Sequence, residues 1–580
     1  MSTYCKAEMK FIDVTAQSDA EINTMDATDF SRMSLFYYPD PVEYADYAHI
    51  GQNHFVLDGS KEIMPNNLRD AAFWSRERSN SNCEFTHNPT VDISFMNPHS
   101  SSGITLYFNT VYPDTLKVTW YRGSTKLAAE TYHPDGLMFI CAQKAQDYNR
   151  IEIEFIKTNL PGEYIQLQYM LYGRHILWGI NEIKNAKITE ELDLTGATIP
   201  INKASIDIID GNEQFNMSSN VGEWQFVQKN QKVNIYEIIN EDEDNPIVCG
   251  SFYISDFSFK ENVATFNFVD GVGVLDLYTF EMGTIYDKVP ASTIIAAIFE
   301  NTGVEYEVAP EVGSILLSGY LAIQSCRSAL QLVAFMCNAV VDDSRSDVVK
   351  IYKPNKEIVA EIPPARKFNG QTKIALDEYV SGVSIEFSKY SLASDRQEIY
   401  NDILTEGQHK ITFNGPYKAS TITTSVGTIV EVNTNYVVIS VPSDSAIIIS
   451  GIPYNEAKFS VTKTVGTIQT GEFENTKTFS GCTLYNSEAA QEKLEELLKY
   501  YKLRKKVDCK YLLNSEGVGN WVNIKDTKAR NNASVIESQS IDLTGGFIAT
   551  AKCRGYDFIS TEYYTGTELY TNGTLAGGLL

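Results

Sequence analysis

Apolar and polar residues alternate in short runs along much of this chain. Val91-Asp-Ile-Ser-Phe-Met, Ile104-Thr-Leu-Tyr-Phe, Leu116-Lys-Val-Thr-Trp-Tyr, Ile151-Glu-Ile-Glu-Phe-Ile and Ile165-Gln-Leu-Gln-Tyr-Met follow this pattern. Side chains on a strand point to opposite faces in turn, so a period of two predicts strands with one buried face. Asn97-Pro98, Tyr112-Pro-Asp and Pro161-Gly162 punctuate the series and predict a β-sandwich over residues 31–175. Residues 1–30 alternate weakly, as in Lys6-Ala-Glu-Met-Lys-Phe-Ile-Asp-Val, and read as a strand and a connecting arm.

The same pattern resumes over 176–280. Its strands are Ala204-Ser-Ile-Asp-Ile-Ile, Lys232-Val-Asn-Ile-Tyr-Glu-Ile, Cys249-Gly-Ser-Phe-Tyr-Ile and Ala264-Thr-Phe-Asn-Phe-Val, with Glu241-Asp-Glu-Asp as a solvated hairpin tip. The period then changes. Pro290-Ala-Ser-Thr-Ile-Ile-Ala-Ala-Ile-Phe, with Gly303 beyond it, predicts a capped helix. Ser325 is the expected N-cap of a second helix, apolar on nearly every side and so buried. These helices define a segment from 281 to 364. Strands return at Tyr379-Val-Ser-Gly-Val-Ser-Ile-Glu-Phe, and a Ser/Thr/Val/Gly-rich stretch over 401–482 reads as an inserted small β-domain. Residues 486–503 form the most amphipathic helix: Ala490, Leu494, Leu497, Leu498 and Tyr501 make one stripe. Acids lead it and lysines close it, which suits the helix dipole. Residues 365–400 with 483–560 then make one further β-rich unit, and 561–580 a glycine-rich flexible tail.

Composition narrows the function classes. A chain of 580 residues exceeds what one core usually organises. Its formal charge is -26, so it is a poor neutraliser of phosphate and a poor general binder of nucleic acid. The nine cysteines show no CxxC pair and are odd in number, which argues against a disulfide framework or a zinc site and for reduced thiols. No basic segment followed by an apolar core opens the chain, and no apolar run reaches the roughly 20 residues that span a bilayer. A particle built from it would leave its cell by lysis.

Candidate chemistry is sparse. None of the seven histidines stands at HExxH or HxH spacing; His49 and His54 beside Asp58 are the nearest cluster. No histidine follows His409, which removes the base that a C-terminal cysteine–histidine or zinc endopeptidase would need. Asp342-Asp343 is a poor acid pair because neighbours on a strand face opposite ways, and Asp256 and Glu261 flank a turn. Gly271-Val-Gly-Val lacks the lysine of a P-loop and reads as a tight turn. No catalytic, cofactor or metal residue is therefore assigned. Trp74, Arg76, Arg78, His87 and Trp120 are the candidates for a sugar or other ligand between the sandwich loops, with burial in the core as the other reading of the two tryptophans.

Two resemblances give these pieces a context. Trp74-Ser75, Asn88-Pro89, Ser100-Ser-Ser-Gly-Ile-Thr-Leu-Tyr-Phe and Tyr148-Asn-Arg-Ile-Glu-Ile, in that order, make 31–175 similar to a discoidin-type, galactose-binding-like jelly roll. A dispersed signature covers roughly half of the chain. It runs through Pro200-Ile-Asn-Lys-Ala-Ser-Ile-Asp-Ile, Gly250-Ser-Phe-Tyr-Ile, Phe268-Val-Asp-Gly-Val-Gly-Val-Leu-Asp, Ser318-Gly-Tyr-Leu-Ala-Ile-Gln-Ser-Cys-Arg-Ser-Ala-Leu and Ile541-Asp-Leu-Thr-Gly-Gly-Phe-Ile-Ala. In this it resembles the hub, or tail-tip, proteins of bacteriophage tails and tail-derived particles.

The resemblance implies a mainly β fold with a few helices (α+β): a jelly-roll sandwich, hub-type β-barrel domains and a small α/β domain. Residues 176–280 would be the first tube-like domain and 365–400 with 483–560 the second. It implies a structural, non-enzymatic virion protein, a homotrimer that adapts a hexameric tail tube to a threefold tip and lines its channel. Candidate ring-facing strands contain Ser205-Ile-Asp-Ile-Ile and Ser384-Ile-Glu-Phe. The implied partners are the tail tube, distal tail or baseplate proteins, a central spike or tip protein, the tape-measure C-terminus and host cell-wall glycan, with no membrane and no cofactor. The sequence departs from the contractile-phage pattern by adding the sandwich and by stopping without a lysozyme or peptidase, which leaves contractile and non-contractile tails both open. A carbohydrate-binding adhesin and, behind it, a cell-wall hydrolase are the alternative functions.

Overall fold

The computed structural model describes residues 3–28, 31–36, 71–211, 213–218, 222–243, 245–468, 471–526 and 531–556. His49, His54 and Asp58, and the tail 561–580, lie outside them. The fold is mainly β with a few helices.

The sandwich forms where the alternation is cleanest. Ala20–Asn23, Thr90–Ser101, Ala145–Thr158, Pro113–Arg122 and Thr125–Tyr132 pair in that order as one sheet. Phe73–Trp74, Gln166–Leu171, Ile104–Phe108 and Met138–Cys141 make the other. Every second residue turns inward, so Val91, Ile93, Phe95, Val118, Trp120, Ile151, Ile153 and Phe155 share one core with Phe73 and Leu106.

A thirteen-stranded sheet carries the rest of the β structure. Its order starts Gly173–Trp178, Thr3–Ile12, Lys232–Ile239, Ile247–Lys260, Val263–Val269, Lys203–Ile209, Ile183–Glu191. It continues through Ala533–Asp542, Ile548–Gly555, Lys505–Leu512 and Lys373–Leu376, with Trp521–Ile524 and Ile358–Ile362 branching from Ala533–Asp542. The N-terminal segment thus contributes a strand between two partners far from it in sequence, with Cys5, Ala7, Met9 and Phe11 inward. The halves meet where Lys187–Glu191 pairs with Ser538–Asp542. No sheet closes on itself among the described residues, so neither half is a closed barrel. Alternation along a strand fixes which face is buried; it does not fix which edge pairs with which.

The chain passes from the large sheet into the sandwich at Ile12–Asp13 and returns at Tyr172–Gly173. Gly173 has φ +154°, and a Cβ there would run into the Phe11 carbonyl oxygen and the Ile12 Cα. Gly173→Ala is expected to cost about 3 kcal/mol through strain and overpacking. The check is urea denaturation, with the loss of protection in hydrogen exchange concentrated at residues 8–13.

Three helices pack on one another and on strands of the smaller sheets. Ala291–Phe299 begins after Pro290, Cys326–Met336 is capped by Ser325 Oγ accepting from the Ser328 N–H (3.2 Å), and Ser487–Tyr501 is capped by Asn486 Oδ1. Ile294, Ile295, Ile298, Leu330, Val333, Leu494 and Leu497 form their common core. Lys493 is buried within it, 4.5 Å above the Phe335 ring, and donates to Thr195 O (2.6 Å). Burial pushes its ammonium down to about 8. The hairpin Gly382–Leu392 with Tyr454–Thr464 carries a small β-domain packed on Ile411, Val437, Ile439, Ile447 and Ile449.

Candidate functional site

The five ligand candidates of the sandwich separate into two sets. Trp74 is 2% exposed and Trp120 fully buried, so neither ring offers a platform to a sugar. Arg76, Arg78 and His87 are exposed, and the His87 N–H donates to Glu77 Oε2 (2.9 Å). All nine cysteines are free thiols, and no group of three or more metal-ligating side chains is poised around a common point among the described residues. No described helix is long and apolar enough to cross a membrane.

The densest polar chemistry lies elsewhere, where the hairpin Val340–Asp342 and Val349–Tyr352 meets the large sheet. Each residue of its loop does something different. Arg345, at φ +50°, donates through Nε to Glu190 Oε1 (3.1 Å). Glu190 lies on the strand that joins the sheet halves, with its side chain 1% exposed. Gln539, across the seam, donates to Glu190 Oε2 (2.7 Å), and Tyr511 OH donates to Gln539 Oε1 (3.2 Å). Burial pushes the Glu190 carboxyl up and Arg345 pulls against it, while Glu190 holds the guanidinium up against its own burial. The network borders a cavity of about 800 Å³ walled by Ile188, Ile247, Leu513 and Phe547.

Asp342 and Asp343 face different ways. Asp342 accepts from Tyr352 OH (3.0 Å) and the Ser344 N–H (2.9 Å). Asp343 accepts from the Gly271 N–H (2.6 Å). Gly271-Val-Gly-Val is a single helical turn rather than a bare bend, because Asp270 caps it: Oδ1 accepts from the Gly273 N–H and Oδ2 from the Asn202 N–H, each 2.8 Å. Asp270 and Asp343 therefore both accept from backbone N–H groups of this buried turn. Burial raises both carboxyls into the neutral range; the charge of Asp270 adds to the rise at Asp343, and that of Asp342 to the rise at both. Asp256 lies within a strand and Glu261 in the turn after it.

Sequence reading missed Glu190, Arg345 and Gln539. One signal was present: Ala186, Ile188 and Glu190 share a face of one strand, so a carboxylate stands in an inward position. Nothing in the local sequence of Arg345 marks it as that carboxylate's partner 155 positions away.

No family model matches this chain, and no curated protein does. Solved structures that it resembles include three tail proteins. It is similar to the 43 kDa tail protein of prophage MuSo2 from Shewanella oneidensis, at 10% identity and TM-score 0.38, over 66% of this chain and 95% of that one. It is similar to a tail protein from Neisseria meningitidis MC58, at 10% identity and TM-score 0.37, over 66% and 93%. It is also similar to prophage tail protein gp18 from Listeria monocytogenes EGD-e, at 6% identity and TM-score 0.37, over 65% and 91%.

Proposed function

We propose that this protein is a structural component of a phage-type tail tip, a hub whose copies close into a ring on the tail axis. The two ends of the thirteen-stranded sheet differ, and that difference supports the reading. At one end the sandwich covers Gly173–Trp178: Thr105 Oγ1 donates to Gly173 O (2.9 Å) and accepts from the His175 N–H (3.0 Å). At the other end Lys373–Leu376 is exposed along its whole length. Ile374 and Leu376 are 51% and 62% exposed, although they stand opposite buried Val507 and Lys505 on the core side. Ile358 and Val359 are likewise exposed on the branch strand. A bare edge with core-side apolar groups is a template for a strand of another chain.

The neighbour in this reading is a second copy, and a homotrimer is the ring that the hub resemblance implies. Such a ring adapts the tail tube to distal tail or baseplate proteins and a central spike, with the tape-measure C-terminus reaching its channel. Its place is the virion, or a tail-like particle, assembled in the host cytoplasm. The role is structural and no catalytic step is assigned.

Light scattering on the pure protein is expected to give a trimer, and negative-stain images threefold rings with a central hole. Ile374→Lys with Leu376→Lys is expected to leave a monomer of unchanged thermal stability. A protein that stays monomeric both alone and within its native particle sinks the reading.

A further inference from the structure

The cavity beside Glu190 and Arg345 opens to solvent. Its floor is Ile188, Ile541 and Phe547, each at most 3% exposed, and its mouth is Ile247, Val248 and Leu512, at 49%, 40% and 44%. Protein interiors are close-packed, yet no described side chain fills this space of about 800 Å³. At its edge the Arg345 guanidinium gives Nε to Glu190, and its Nη2 is buried without a hydrogen-bond partner. Glu237, the other carboxylate of the wall, accepts from Thr3 Oγ1 (3.0 Å). The space therefore suits an apolar body that brings a hydrogen-bond acceptor with it.

Such a body stands on the loop 471–475. Phe473 is 85% exposed, the most exposed aromatic side chain among the described residues. The loop beneath it is held on both sides. Glu472 Oε1 pairs with Arg504 Nη2 (2.9 Å), the Ser381 N–H donates to Asn475 O (2.9 Å), and Asn475 Nδ2 donates to Tyr379 O (2.8 Å). A loop already fixed presents its ring with little further loss of conformational entropy. Glu474, next to the ring, is exposed, and its carboxylate has no partner among the described residues. The loop tip thus carries both an apolar body and a free acceptor.

The two features do not meet within one chain. Arg504, which holds the loop, precedes the strand Lys505–Leu512, and the cavity lies at that strand's other end. At the rise of a strand those ends are about 25 Å apart. A second copy brings them together. The loop is also continuous with the bare edge Lys373–Leu376: the Asp377 N–H donates to Arg504 O (2.7 Å), and Glu378 Oε2 accepts from Asn475 Nδ2 (3.3 Å).

We propose that Phe473 of one copy seats in the cavity between Val248 and Phe547 of the next, with Glu474 beside Arg345. Different surfaces of the two copies meet, so the contact is heterologous, and repeated head to tail it generates a ring when the rotation closes. It rests on the ring reading, because the guest is a second copy, and it adds which surface receives that copy. A rigid aromatic anchor that fills a pocket on its partner carries a large share of an interface's binding energy.

Phe473→Ala is expected to raise the dissociation constant between copies about tenfold or more in sedimentation, at an unchanged melting temperature. Val248→Trp, which narrows the mouth, is expected to act likewise. A one-to-one mixture of these two variants keeps one intact ring and one intact cavity per pair, and is expected to dimerise more tightly than either alone. A chain carrying both Val248→Cys and Phe473→Cys, oxidised with diamide in solution and in assembled particles, is expected to form a disulfide between positions 248 and 473 of different copies, read by peptide mass spectrometry. Val248→Cys with Ile403→Cys, at a position 71% exposed elsewhere, is expected to form none. Copies that associate without the 248–473 cross-link overturn this contact and leave the ring reading standing, as does a Phe473→Ala chain that associates like the natural one. A natural chain that is monomeric both alone and in its particle overturns the two together.

Discussion

Arg345→Met is expected to destabilise the large sheet by about 3–5 kcal/mol, the cost of leaving a buried charge without its partner. Glu190 is the charge in question: it is 1% exposed, and Gln539 supplies one neutral hydrogen bond where the guanidinium supplied the counter-charge. Equilibrium unfolding in urea, followed by tryptophan fluorescence, measures the loss. The double variant Glu190→Gln/Arg345→Met is expected to recover most of it, because no uncompensated charge then remains. Arg345→Lys is expected to fall between, since an ammonium restores charge but not the planar fork. A single Arg345→Met variant as stable as the natural protein would show that Glu190 is neutralised by other means.

Raising pH from about 5 to about 8 is expected to weaken the contact between the Val340–Tyr352 hairpin and the turn at Gly271, and Asp343→Asn to reduce that dependence to the share of Asp270. Asp270 and Asp343 are both raised above the ordinary carboxylate value, by burial first, with the charge of Asp270 also raising Asp343 and that of Asp342 raising both. Asp342, Tyr253 and Arg327 face the same interior, and Arg327 is committed to Asp276 (2.7 Å). Above pH 4 the unfolded chain releases protons that the folded pair retains. The resulting stabilisation is complete below the ordinary carboxylate range and is lost as pH rises through neutrality. Each tenfold difference in proton affinity between the folded and unfolded chain is worth about 1.4 kcal/mol, so the change is on the order of 2–4 kcal/mol. The amide that replaces the Asp343 carboxyl can still accept from the Gly271 N–H and cannot ionise, so the variant's stability should fall less steeply over this window, with Asp270 alone titrating. Melting temperatures recorded across the range, with a steeper fall in the variant than in the natural protein, would refute the assignment.

The strands with the cleanest alternation were legible because burial on one face imposes a period of two, as at Val91-Asp-Ile-Ser-Phe. The start of the second helix was legible because unpaired N–H groups need an acceptor, which Ser325 supplies in sequence. The lack of an HExxH pair or a P-loop lysine was equally plain. The assembly of these pieces was not. Thr3–Ile12 pairs with Lys232–Ile239, and Ile183–Glu191 with Ala533–Asp542, across separations that no local pattern encodes. The joint has the same origin: Glu190, Arg345 and Gln539 are ordinary surface residue types in sequence, and only the closure of the two sheet halves around them removes their water. Local sequence determined which residues are hidden on each element. Tertiary structure decided which hidden charges meet, because electrostatic energy depends on distance and burial, and both are set by pairing between remote segments.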